Sequence, residues 1–109
     1  MRRTPLQLKI PTEMRETLAT DPIMKQCIFK GTFKEVDCEG RVEWNHGFTY
    51  ASKRQNELWA IVPLCTYHHR TEASHRREIR GFMRMQMGYY KADDDFNTKY
   101  PKSDLRDRI

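Results

Sequence analysis

Three cysteines, Cys27, Cys38 and Cys65, constrain this chain more than any other residues it carries. An odd number cannot close fully into internal disulfides, and the absence of a Cys-x-x-Cys pair argues against a redox or metal-responsive thiol protein. His68 follows Cys65 with two residues between, so one turn of chain can bring both side chains to a common point. Three thiolates and an imidazole make a complete tetrahedral set for a structural zinc ion. The other half-site, Cys27-x10-Cys38, is unusually wide, and a second reading stays open: three buried reduced thiols beside an exposed histidine. Composition favours the metal. With 38% apolar and 32% charged residues in a chain of 109, the core is small, and metal binding can supply folding free energy that apolar burial does not.

The length fits one domain, 1–109, with a core at about 27–80, a helical extension over 1–26 and a helix and tail over 81–109. No apolar run has the character of a signal peptide or membrane span, so the expected setting is soluble and cytoplasmic, with no membrane partner. The net charge is +5, unevenly spread. Residues 1–34 carry seven basic and three acidic side chains and 67–90 carry five and two, whereas 35–66 carry three and five. Basic ends around a slightly acidic middle suit a protein that meets a polyanion, and equally suit a plain solvated surface.

The pattern along the chain reads as α+β. Thr12 followed by Glu13 and Glu16 predicts a short helix with an acidic first turn, and Asp21-Pro22 marks a turn. Cys27 to Cys38 reads as a looped excursion. In "GRVEWNH" the alternation predicts a strand with Val42, Trp44 and His46 on one face and Glu43 and Asn45 on the other. Residues 47–57 read as a loop, 58–63 as a second strand stopped by Pro63, and 66–80 as a helix with Thr66 at its cap. A further helix is expected beyond Gly81, its Met and Tyr residues serving as packing, followed by an extended or loosely ordered tail.

A second group of residues carries chemistry. His46 ends the first predicted strand, His69 lies in the first turn of the predicted helix, and Asn56 sits in the loop between them. Taken singly, each is an ordinary structural residue. Taken together, the run "EWNHGFTYASKRQNELWAIVPLCTYHHR" resembles the HNH (ββα-metal) endonucleases. It is closest to phage-type recombination-enhancement HNH nucleases through Glu43, Trp44, His46, Tyr50, Ala51, Pro63, Leu64 and Cys65. That family commonly ends its motif in Leu-Cys-x-x-Cys-His, and here His68 stands where the second cysteine would be. Asn45 precedes the histidine where Asp or His is usual. The family asparagine commonly lies five residues before the knuckle cysteine, where this chain has Ala60; Asn56, nine before, either fills that role from a shifted loop or leaves it unfilled.

The resemblance implies a zinc-stapled ββα-metal core and an endonuclease or nickase that hydrolyses DNA, in phage recombination or DNA processing within a bacterial host cell. His46 would be the general base and Asn56 its orienting partner. Asn45 and His69 would hold a catalytic divalent ion, Mg²⁺ or alternatively Mn²⁺, Ni²⁺ or Zn²⁺. Cys27, Cys38, Cys65 and His68 would hold the structural zinc. Lys53, Arg54, Arg70, Arg76, Arg77 and Arg80 are the expected DNA contacts, with Arg70, Arg77 and Arg80 on one side of a continuous helix. His75 reads as a plain surface histidine and Glu43 as structural. The rival expectation is a zinc-containing nucleic-acid-binding module without catalysis, in which His46 and His69 are ordinary polar residues.

Overall fold

A computed structural model describes residues 9–101. The expectations for 1–8 and for the tail over 102–109 lie outside them. The first helix, α1 (Thr12–Ala19), carries Glu13 in its first turn, where a carboxylate favours the positive end of the helix dipole, and buries Leu18. A 3₁₀ turn over Pro22–Lys25 follows, started by Asp21, whose carboxylate accepts from the Ile23 amide at 3.1 Å. Proline suits this first position because its missing N–H has no partner there in any case.

Cys27 to Cys38 is a chain of tight turns. The amides of Lys30, Thr32, Glu35 and Cys38 each donate to the carbonyl three residues earlier. Gly31, at φ +86°, makes the left-handed step this path requires, and its amide donates to the Glu35 carboxylate at 3.1 Å. The excursion therefore returns Cys38 to the neighbourhood of Cys27.

Two strands form the central ribbon. β1 (Val42–His46) pairs antiparallel with a strand over Ile61–Cys65, in a register running from Val42↔Cys65 to His46↔Ile61. The latter strand is buried along its whole length, as its near-continuous apolar sequence requires. Its position corrects the sequence reading: Leu58–Ala60 is a 3₁₀ turn, and the strand continues through Pro63. Pro63 is tolerated because its carbonyl points away from β1, accepting instead from the Ile28 amide at 3.0 Å. On an antiparallel strand a residue's N–H and C=O share one side, so no ladder donor is lost.

Residues 47–57 are more ordered than a plain loop. They contain a minimal hairpin of β2 (Thr49–Tyr50) and β3 (Lys53–Arg54), and the ribbon strand Ile61–Cys65 becomes β4. Ala51 and Ser52 both have positive φ, the geometry of a two-residue primed turn. The absence of Gly or Asn there hid it from the sequence reading.

The expected helix over 66–80 is split. α2 (Thr66–Arg70) leaves directly from β4, a 3₁₀ turn spans Glu72–His75, and α3 runs unbroken over Arg76–Tyr89. The Thr71 hydroxyl donates back to the Tyr67 carbonyl at 3.0 Å, a local bond that competes with helix continuation. Gly81 does not divide two helices: it lies inside α3 in open space, at a cost of about 1 kcal/mol relative to alanine. The N-cap of α2 is Cys65, whose sulfur accepts from the His68 amide; Thr66 instead donates to the Glu43 carboxylate at 3.2 Å.

Ile79, Phe82, Met83, Gln86 and Met87 form the buried stripe of α3, while Met85 and Tyr89 are exposed. The last helix, α4 (Asp93–Lys99), starts with three aspartates and buries Phe96. Tyr100 is buried too, so this stretch is docked rather than extended. Phe48 sits 5.1 Å from Trp59, 5.8 Å from Phe96 and 4.9 Å from Tyr100, ring centre to ring centre. The Tyr100 hydroxyl donates to Glu57, which also pairs with Lys99 at 3.1 Å. The described residues are thus a small compact α+β unit, and none of its helices is long and apolar enough to cross a membrane.

Candidate functional site

Cys27, Cys38, Cys65 and His68 converge, with their ligand atoms all within 4.8 Å of one another. The His68 Nδ1 atom lies 3.5 Å from the Cys27 sulfur, 3.6 Å from Cys38 and 3.2 Å from Cys65. A tetrahedral ion with metal–sulfur bonds of about 2.3 Å and a metal–nitrogen bond of about 2.05 Å sets that edge at roughly 3.6 Å. The donor set therefore suits a structural metal such as zinc. It is the one group of three or more His, Cys, Asp or Glu side chains gathered this way among the described residues.

The surroundings tune the thiols. Burial pushes the Cys27 thiol up, and burial, aided by its neighbouring thiols, pushes Cys38 up to about 12. Burial acts in the same direction on Cys65. There it is outweighed by the amides of His68 and Glu39, which point at the sulfur from 3.4 and 3.5 Å and hold this thiol below its ordinary value. Desolvation likewise keeps His68 low, in the neutral form a metal ligand needs. Its ring is enclosed by Phe29 at 4.3 Å, Tyr67 at 5.1 Å and His75 at 5.1 Å. His75 is therefore a half-buried packing residue whose Nε2 meets the Thr71 hydroxyl at 3.1 Å, correcting the surface reading.

The two adjacent histidines of α2 do face different partners. His68 is buried in the cysteine cluster, while His69 turns its Nδ1 to the Glu43 carboxylate on β1 at 2.5 Å. The pairing with His69 is the main reason that Glu43 is held below the usual carboxylate range. Asn45, two residues along the same face of β1, is buried, and its amide nitrogen donates to Glu72 at 3.1 Å. Glu43 and Asn45 thus look toward the segment after β4, each joined to its own partner there. Sequence reasoning missed Glu72; the broken helix that delivers it has no local signal beyond Thr71.

His46 lies on the other face of β1. Its Nε2 meets the Asn56 side-chain oxygen at 2.7 Å, and the Asn56 nitrogen donates to the Lys9 carbonyl at 3.1 Å. That second bond settles which way the amide points. Because the oxygen then faces His46 and can only accept, Nε2 carries a ring proton, and in the neutral ring Nδ1 is the nitrogen with the lone pair.

Two of the expected DNA-contacting arginines converge on the same corner. Arg54 donates to the His46 carbonyl at 3.5 Å and Arg76 to the Gly47 carbonyl at 3.2 Å. Lys53 is exposed on the hairpin beside Arg54, and Arg77 is exposed near the start of α3. Arg70 lies elsewhere, 3.8 Å from Glu39 and over the Tyr67 ring. Arg70, Arg77 and Arg80 do not share one helix face, because the turn over Glu72–His75 resets the helical phase between α2 and α3.

No family model, no curated protein and no solved structure matches the chain.

Proposed function

We propose that the protein is a metal-dependent endonuclease of the HNH type, a nickase or double-strand cutter of DNA, with its Cys₃His group holding zinc as a structural staple. The observation that carries this reading is the His46–Asn56 pair. A buried imidazole, fixed by an asparagine on one nitrogen so that the neutral ring offers the other as proton acceptor, is the arrangement a general base requires.

Supporting features lie around it. The order β1, hairpin, β4, α2 places a strand-end histidine and a helix histidine on neighbouring elements. His69 presents Nδ1 to Glu43, which leaves Nε2 as its ligand atom; a carboxylate on the far nitrogen is the usual support for a metal-binding histidine. Asn45, with its nitrogen committed to Glu72, keeps its carbonyl oxygen for a cation. A divalent ion held by Asn45 and His69 would stabilise negative charge on the scissile phosphate and its leaving oxygen. His46 would take a proton from the attacking water through Nδ1, Asn56 would hold the ring, and Arg54 and Arg76 would approach the phosphates flanking the break.

Conversion of supercoiled plasmid to nicked circles with added Mg²⁺ or Mn²⁺ tests the reading. Wild-type nicking should drop by about 10²-fold or more in His46→Ala. Equal activity in the two proteins removes His46 as the base, and no cleavage with either ion in the zinc-loaded wild type leaves the non-catalytic nucleic-acid-binding module standing.

A further inference from the structure

The Val42, Trp44 and His46 face of β1 is not covered by its own sheet partner. It opens into a cleft of about 640 Å³ whose far wall is the chain leading into and along α1, contributing Lys9, Ile10 and Arg15. This volume falls within the roughly 300–1,000 Å³ of sites that hold one small organic group. Among the described residues no carboxylate lines it, although α1 also carries Glu13 and Glu16. Lys9 and Arg15 are exposed, and neither forms an ion pair with another described residue. Trp44 is half-buried, its indole N–H fixed to the Met24 carbonyl at 2.9 Å, so its ring is held in place along the cleft.

We propose that this cleft seats an unpaired nucleotide of a DNA strand, which makes single-stranded or locally opened DNA the substrate class. The inference rests on the endonuclease reading for its meaning, though not for its binding chemistry. An aromatic face accepts any base, and two cations opposite it match the sugar-phosphate backbone. Side chains two residues apart on a strand are roughly 7 Å apart, a step similar to that between successive phosphates of an extended strand. A base against Trp44 therefore carries the next phosphate toward His46. The Asn56 side chain ties the two walls together, since it holds His46 with one atom and the Lys9 carbonyl with the other. A closed duplex offers no free base to such a cleft.

The test uses the full-length zinc-loaded protein without added divalent ion, so that binding is read apart from cleavage. A fluorescein-labelled oligothymidylate should bind more tightly than a duplex of the same length and quench tryptophan emission. Lys9→Ala/Arg15→Ala should weaken oligothymidylate binding at least tenfold and lower the slope of log affinity against log salt by about 1.4, the share of two phosphate contacts on a single strand. Trp44→Phe should abolish the quench while the buried Trp59 keeps its emission and the circular dichroism is unchanged. Undiminished binding, salt slope and nicking in the Lys9/Arg15 variant would overturn the cleft while leaving the nuclease reading intact. Binding that depends on Lys9, Arg15 and Trp44 in a protein that never nicks DNA would establish the cleft and remove the nuclease.

Discussion

Asn56 grips His46 by a single nitrogen, Nε2, at 2.7 Å, and is itself anchored to the backbone of Lys9. In the proposed nuclease its role would be positional, since an amide moves no proton at neutral pH. Asn56→Leu should therefore cost about 10²-fold in plasmid nicking, whereas Asn56→Asp, which can still accept from Nε2–H, should recover most of that loss. Equal defects in the two variants would show that the bond to the imidazole is not what matters.

A metal held by the cysteine cluster would make folding and metal binding one equilibrium. Purified protein should contain one zinc per chain, and a strong chelator should lower the melting temperature or unfold the chain, reversibly on zinc return. Cys38→Ser keeps a side chain of similar size while removing a ligand. It should bind zinc far more weakly, and metal analysis together with thermal melts followed by circular dichroism would register both effects. A full zinc complement in this variant would point to a different ligand set.

How far the sequence could be read depended on whether a feature was local. The Cys-x-x-His spacing, the alternation in β1 and the acidic start of α1 are properties of short stretches, and each is found where expected. The return of Cys38 to Cys27 was legible only conditionally, since it needed the cysteines to share a partner. What stayed hidden was set by tertiary contacts. Pro63 reads as a strand stop until Ile28 is seen to take its carbonyl. The phase of Arg70 against Arg77 depends on a break at Thr71 that composition does not announce. Glu72 and Lys9 reach the neighbourhood of Asn45 and His46 from outside the motif, so no motif reading could name them.

Gly47 follows His46 at the point where β1 passes under α3. A β-carbon there would lie 2.9 Å from Val62 Cγ2, 3.1 Å from Met83 Sδ and 3.3 Å from Ile79 Cγ2. Those side chains are fully buried and have little room to retreat. Gly47→Ala should thus destabilise by about 1–3 kcal/mol, the usual range for overpacking. Denaturant unfolding of the zinc-loaded protein measures it, and a neutral result would mean that the turn after His46 is free to shift.

The hydrogen bond between His69 and Glu43 should give stability a dependence on acid pH. Because Glu43 is held below the ordinary carboxylate value of 4.5, chiefly by His69 and further by the Thr66 hydroxyl, its folded form binds a proton less readily than its unfolded form. Its contribution is therefore complete above pH 4.5 and is lost as pH falls through the lowered folded value. Glu43→Gln removes that titration. Wild type minus variant, followed by urea unfolding across the acid range, should shrink as pH falls below 4.5. The size will be modest, since roughly a third of each side chain is exposed and solvent screens the pair. A difference that grows with acidification would reverse the sign and separate Glu43 from His69.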